Sequence, residues 1–190
     1  NRSHMIDELA EQIHDIRRMI AALNIPVVQK TGYEADDLVG TFARMAQEEG
    51  FEVVMVTGDK DFIQLISEHC ILWDPMKDTV MDRDAVRADM EIEPEQFVDV
   101  LGLAGDASDN IPGAKGVGIK TAVKLVAEFG SIDNLYQNLD QVAKKKKLHE
   151  NLSSGRDLAR LSRDLATIDQ HVKIRETIED FRLQPFDTKQ

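Results

Sequence analysis

A chain of 190 residues, 42% hydrophobic and 31% charged, can bury a sizeable core and has the composition of an ordinary globular protein. Its apolar runs are too short to cross a bilayer, its first residues lack a signal-peptide hydrophobic region, and its one cysteine, Cys70, excludes an internal disulfide. A net charge of −12 argues against a nucleic-acid partner unless the carboxylates gather around divalent cations, which reverse the local field. The expected location is the cytoplasm, with no membrane partner, and the five histidines are too scattered for a zinc site.

The first expected element is a helix, because Ile6, Leu9, Ala10, Ile13, Ile16, Ile20 and Leu23 recur at three- and four-residue spacing. Pro26-Val27-Val28 reads as a short strand. A second helix opens at Gly32-Tyr33-Glu34-Ala35-Asp36-Asp37, carries an apolar face of Ala35, Leu38, Val39, Phe42, Ala43 and Ala46, and ends at Gly50. Glu34, Asp36 and Asp37 in its first turn suit the helix dipole, but three together also repel, and a cation relieves that. Val53-Val54-Met55-Val56 shows no polar alternation and reads as a strand covered on both faces of a parallel sheet. Ligands of such sheets bind at the carboxyl ends of the strands, where Thr57-Gly58 turns the chain and presents Asp59 and Asp61. Taken alone, Asp59 reads as the cap of a short helix beginning near Asp61.

Further strands are expected over residues 71–73 and 79–81 around a turn at Asp74-Pro75-Met76-Lys77, and helices over 82–90 and 94–103, the second with Pro94 at its start. The polar loop over residues 105–110 adds Asp106 and Asp109. The next stretch differs in kind: Gly113, Lys115, Gly116, Val117, Gly118, Lys120, Thr121 and Lys124 lie in a Gly-x-Gly hairpin leading into an amphipathic helix that stops at Gly130. Open N–H groups at a helix N-terminus, with lysines beside them, suit phosphate, although a lone Gly-x-Gly is weak and the P-loop spacing is absent. Lys144 to Lys147 read as a solvated stretch, with contact to phosphates as the lesser alternative. A helix follows over residues 151–168 with Leu158, Leu161 and Leu165 on one side, then an edge strand over 172–174.

Seven acids, Glu34, Asp36, Asp37, Asp59, Asp61, Asp106 and Asp109, thus come from three loops that a parallel sheet would gather at one edge. No hydrophobic core needs them. Carboxylates without arginine partners suit hard divalent cations such as Mg²⁺ or Mn²⁺, and two such ions can activate water and stabilise the leaving oxygen in phosphodiester cleavage. With a hairpin for the nucleic-acid backbone alongside, this is the composition of a nuclease, with Asp59, Asp61, Asp106 and Asp109 the candidates nearest the chemistry.

GYEADD at 32–37, TGDKD at 57–61, GDASDNIPG at 105–113 and KGVGIKTA at 115–122 resemble, in order and spacing, the 5′-nuclease domain of bacterial DNA polymerase I, in the flap-endonuclease superfamily. The resemblance runs from about residue 5 to about 175. It implies a PIN-like α/β core of a mainly parallel sheet flanked by helices over residues 1–105, and a helix-hairpin-helix subdomain with a C-terminal helix and tail over 106–190. The acids would hold two divalent metals and the hairpin would grip duplex DNA, with a K⁺ ion. The implied substrates are DNA 5′ ends and flaps and RNA primers on DNA, with a polymerase domain following. Family members also carry an earlier strand and helix with an aspartate and a second aspartate before a basic arch; this chain contains neither. It is therefore expected to lack inner metal ligands, to bind DNA weakly, to cleave very slowly or not at all, and to expose a sheet edge open to self-association. A rival reading, a haloacid-dehalogenase-type phosphatase using Asp59-Lys60-Asp61, lacks the Thr or Val expected two residues after the second aspartate. A DNA-binding module without catalysis is the other.

Overall fold

In the computed structural model, residues 7–185 are described, with side chains from residue 11 onward. Helix α1 spans Asp7–Ala22. Of its expected stripe, Ile6 and the side chains of Leu9 and Ala10 lie outside the described residues, while Ile16 stays exposed and Ile13 and Ile20 are only half-buried. Residues 26–28 form no strand: Pro26 lacks an N–H for a ladder, Val27 is 63% exposed, and no described strand runs beside them. Helix α2, Ala35–Glu48, buries Leu38, Gly40, Thr41 and Ala43, and Gly50 at φ +84° closes it.

Strand β1, Val53–Val56, pairs in parallel with β2, Cys70–Asp74, in the register Val53 with Cys70, and β3, Thr79–Met81, returns antiparallel with Met81 opposite Leu72. The buried Asp74 carboxylate shapes that return, accepting from the N–H groups of Met76 and Lys77 and from Lys77 Nζ. The crossover between β1 and β2 is a 3-10 helix, Lys60–Leu65, which turns Phe62, Ile63 and Leu65 inward. Only one face of β1 is covered. Met55 is buried, whereas Val54 and Val56 on the other face are 52% and 58% exposed, and β1 is also the edge strand of the described sheet. An apolar groove of about 500 Å³ lies along it, bounded by Val39 and Phe42 of α2 and by Ile178 and Phe181.

Helix α3, Arg83–Met90, is capped by Asp82. A 3-10 turn with Pro94 at its start leads into α4, Phe97–Ala104, which is buried nearly all round. Three more helices follow: α5, Ile119–Phe129, α6, Ile132–Gln137, and α7, Lys146–Ala166. Helix α7 starts earlier than the sequence suggests and shows the opposite face. Leu152, Gly155, Ala159, Ser162 and Ala166 are buried, while Leu158, Leu161 and Leu165 are 41%, 51% and 60% exposed. The small residues win because α4 and α7 cross closely: a Cβ on Gly102 would stand 2.7 Å from Arg163 Cβ and 3.0 Å from the Ala159 carbonyl oxygen.

One hydrophobic core joins both halves, running from Met55, Ile63 and Leu72 through Phe97, Val100 and Leu103 to Val126 and Leu152. Arg163 ties α7 to α6 and α4, bonding Asp133 at 2.9 Å and standing 3.6 Å from the buried Asp99. Burial raises the Asp99 carboxyl and outweighs the guanidinium's opposite pull. Residues 172–174 form no strand either. The chain there is a strap across α2, with Val172 N–H donating to the buried Thr41 hydroxyl at 3.1 Å.

Candidate functional site

Each acidic loop is held by its own local bonds. At the start of α2, Glu34 and Asp37 form a capping box, with Asp37 Oδ2 accepting from Glu34 N–H, and Asp37 Oδ1 also accepts from Asp169 N–H at 2.9 Å. Asp37 therefore ties α2 to the strap as well as facing the pocket. Beyond β1, Asp59 caps the 3-10 helix by accepting from Asp61 N–H at 3.0 Å, as its position alone suggested, and is itself fixed by a bond from its N–H to Thr57 Oγ1.

The loop after α4 closes through a bridge in which the N–H of Asp106 meets the carbonyl of Ile111 at 2.9 Å and the reverse bond is 2.7 Å. Its two flanking glycines are required by geometry. Gly105, at φ +72°, would place a Cβ 2.5 Å from the Ile111 carbonyl oxygen, and Gly113, at φ +63°, packs its backbone onto Ala104 and Gly105. Asp106 Oδ1 then accepts from Ser108 N–H at 2.6 Å, and the turn carries Asp109 toward Asp106.

All seven acids line one pocket of about 780 Å³, which no lysine or arginine enters. Ligand oxygens of Asp61, Asp106 and Asp109 lie within 4.8 Å of one another. Burial first, then Asp59, Asp106, Asp109 and Asp36, pushes the half-buried Asp61 carboxyl up to about 6. Asp36 is raised as well, by burial and then by Asp59, Glu34, Asp37 and Asp109. Such mutual repulsion on rigid loops suits a hard cation, which accepts oxygen ligands and cancels the charge. The donor set is all oxygen, which suits a hard divalent cation.

Sequence reasoning missed how the pocket is fixed in place. Gln64 Nε2 donates to the carbonyls of Asp61 at 3.0 Å and Ala166 at 2.9 Å, and its Oε1 accepts from Ile168 N–H at 3.0 Å. One side chain thus joins the acid-bearing 3-10 helix to the end of α7. Thr41 and the close approach of Ile168 to Gly40 seat the strap, so that Leu165, Ala166, Thr167 and Ile168 form the pocket's far wall. The only trace of this in the sequence is the three-residue spacing from Asp61 to Gln64.

The hairpin is formed, with a change in which groups face outward. Val117 is buried and its N–H donates to the Ala114 carbonyl, while Gly113 N–H donates to the buried Ser162 hydroxyl, so these two anchor the turn rather than offering themselves to a ligand. The N–H groups of Gly116, Gly118, Ile119 and Lys120 have no backbone acceptor among the described residues. Lys115, Lys120 and Lys124 are exposed beside them, with Thr121 half-buried.

Two family descriptions account for nearly the whole chain. The N-terminal resolvase-like domain of 5′-3′ exonuclease matches residues 1–91, and the C-terminal SAM fold of 5′-3′ exonuclease matches residues 92–189. The chain belongs to the 5′-3′ exonuclease family. It is 42% identical over 182 residues to DNA polymerase I of Bacillus caldotenax, covering 93% of this chain and 20% of that protein. It is also 40% identical over 184 residues to DNA polymerase I of Streptococcus pneumoniae, covering 94% and 21%. The chain therefore spans about a fifth of the curated relatives it matches. T5 5′-exonuclease, solved with divalent zinc ions bound, superposes with a TM-score of 0.74 at 21% identity over 89% of this chain and 64% of that one. The catalytic core of Rad2 in complex with DNA substrate gives 0.57 at 16% identity over 90% and 59%. At those identities the likeness establishes the fold. Family membership displaces the phosphatase reading.

Proposed function

We propose that this chain is the metal-binding core and DNA-holding subdomain of a divalent-metal-dependent 5′-3′ exonuclease and flap endonuclease that hydrolyses phosphodiesters at DNA 5′ ends and flaps. The observation that carries this is the pocket in which seven carboxylates meet with no basic residue. Asp59, Asp61, Asp106 and Asp109 hold the divalent ions, Mg²⁺ or Mn²⁺, two in the complete site, and Glu34, Asp36 and Asp37 complete the acidic wall. When bound, the ions supply water activation and charge stabilisation at the attacking and leaving oxygens. The chain's own part is to orient those ligands and, through Gly116, Gly118, Lys115, Lys120, Thr121 and Lys124, to hold a duplex backbone beside them with a K⁺ ion at the hairpin.

Residues 1–105 are assigned to the nuclease core and 106–190 to DNA holding, with Asp106 and Asp109 at the junction. The proposal extends to RNA primers on DNA as further substrates and to the cytoplasm as location, and the name of the relatives, DNA polymerase I, supports a polymerase domain following in the same polypeptide. The free edge of β1 is assigned to self-association. The test is cleavage of a labelled 5′-flap duplex with Mg²⁺ or Mn²⁺, against a chelator control, by this chain and by one extended at the N-terminus. Metal-dependent product at the 5′ end is expected from the extended chain and very little from this one; duplex binding with no cleavage by either under either metal would leave a DNA-binding module instead.

A further inference from the structure

The lysine run reads in the sequence as a solvated stretch, and the fold gives it a definite place. Lys145 is the N-cap of α7 and Lys146 and Lys147 fill its first turn, which contains no acid. With Lys124 of α5, they line a groove of about 710 Å³ that also includes Gly116 of the hairpin and Asn151. The arrangement opposes the stability of the helix. Helix N-termini favour carboxylates, and here three consecutive lysines stand at the positive end of a 21-residue helix. Among the described residues no ion pair engages Lys124, Lys145, Lys146 or Lys147, although Glu128 lies one turn from Lys124 in the same groove. An anion entering the groove would relieve the repulsion.

The groove is also fixed relative to the hairpin. Gly116, at φ +72°, sits so close to α7 that a Cβ there would stand 2.9 Å from Asn151 Nδ2. Lysines are point charges suited to phosphate oxygens rather than base edges. From this geometry we infer that the groove between α5 and the start of α7 is a second phosphate-binding station, holding the same duplex backbone as the hairpin and fixing its register relative to the acid pocket. The inference rests on the proposed DNA-holding role of the hairpin.

The test measures the affinity of the 190-residue chain for a short blunt duplex across a range of salt concentrations without divalent metal. Four proteins are compared: the unmodified chain, Lys120→Ala, the triple variant Lys145→Ala/Lys146→Ala/Lys147→Ala, and the same three positions changed to Arg. The alanine triple variant is expected to bind more weakly, with the slope of log affinity against log salt reduced by about 0.9 for each phosphate no longer neutralised. Its melting temperature should be unchanged or higher, and the arginine variant should keep the full slope. Unchanged affinity and slope in the alanine triple variant, with Lys120→Ala still weakened, would overturn the groove and leave the hairpin. A weaker affinity with an unaltered slope, or one that arginine does not restore, would make the lysines structural and overturn it too. Absence of salt-dependent duplex binding by the unmodified chain would remove both.

Discussion

Asp61 is the residue on which the electrostatics of the pocket converge. Its carboxyl titrates at about 6 in the folded protein against 3.8 ordinarily, so protonation favours the fold. Its contribution is complete below about pH 4 and is lost as pH rises toward about 6. Asp61→Asn should therefore raise the melting temperature of the metal-free protein near neutral pH and confer little at about pH 4; a lower melting temperature at neutral pH would contradict the repulsion. In the unmodified chain, Mg²⁺ at a hundredfold excess over its dissociation constant should stabilise by about 2.7 kcal/mol. That gain should shrink as pH falls through the Asp61 titration, because protons and cations compete for the same oxygens. Thermal melts at a series of pH values would detect it, and a pH-independent gain would place the ion elsewhere. Asp106→Asn, at the centre of the cluster, should reduce flap cleavage by the N-terminally extended chain by orders of magnitude while leaving the circular dichroism spectrum unaltered.

Among the elements, α7 inverts the usual reading of an amphipathic helix. Leu165→Ala or Leu161→Ala should change stability by less than about 1 kcal/mol, since those side chains are already in water, whereas Leu152→Ala should cost about 2 to 5 kcal/mol. Denaturant titration of the three variants decides it, and a large loss at Leu165 would mean that its exposed face is covered in solution. Arg163→Ala should cost about 3 to 5 kcal/mol, because it leaves Asp99 buried without its counter-charge. Gln64→Ala should cost about 1 to 3 kcal/mol for the backbone partners it abandons. It should also weaken Mg²⁺ stabilisation, since the 3-10 helix carrying Asp61 loses its tie to α7. A Gln64→Ala variant that is destabilised yet binds Mg²⁺ normally would show that the tie is structural only.

Across the whole molecule, a net charge of −12 is compatible with a nucleic-acid partner because charge is segregated: a pocket without a basic residue lies on one side, and exposed lysines gather around the hairpin. Under the proposed function the two surfaces would act on the same polyanion in different ways, one through bound cations and the other directly. Lys120→Ala should weaken duplex binding to all sequences alike and lower the salt slope by about 0.9. A loss confined to particular sequences, measured on unrelated duplexes, would mean that the hairpin reads bases.

How far the chain could be read in advance depended on the range of the forces involved. Helix limits near Gly50, Pro94 and Gly130, the cap at Asp59 and the glycine-bounded loop around Asp106 are set by neighbours within a few residues, so the sequence by itself determined them. The seven acids were legible as a set because they fall in three short motifs, but only the loop of Asp59 and Asp61 follows a described strand, so helix packing rather than strand order brings the start of α2 and the loop after α4 to the same pocket. Residues 26–28 look like a strand but found no partner among the described residues to complete a ladder, and β1 was expected to be covered on both faces yet leaves Val54 and Val56 exposed on one. Only the tertiary structure decided which face of α7 is buried, that Gln64 joins the acid loops to the strap, and that Lys145 to Lys147 meet the hairpin. Hydrophobicity ranks side chains one at a time, whereas the crossing of α4 and α7 selects for how closely two backbones can approach. There Gly102 and Ala159 outcompete the leucines, while Gly155 lies against Ala114 of the hairpin segment.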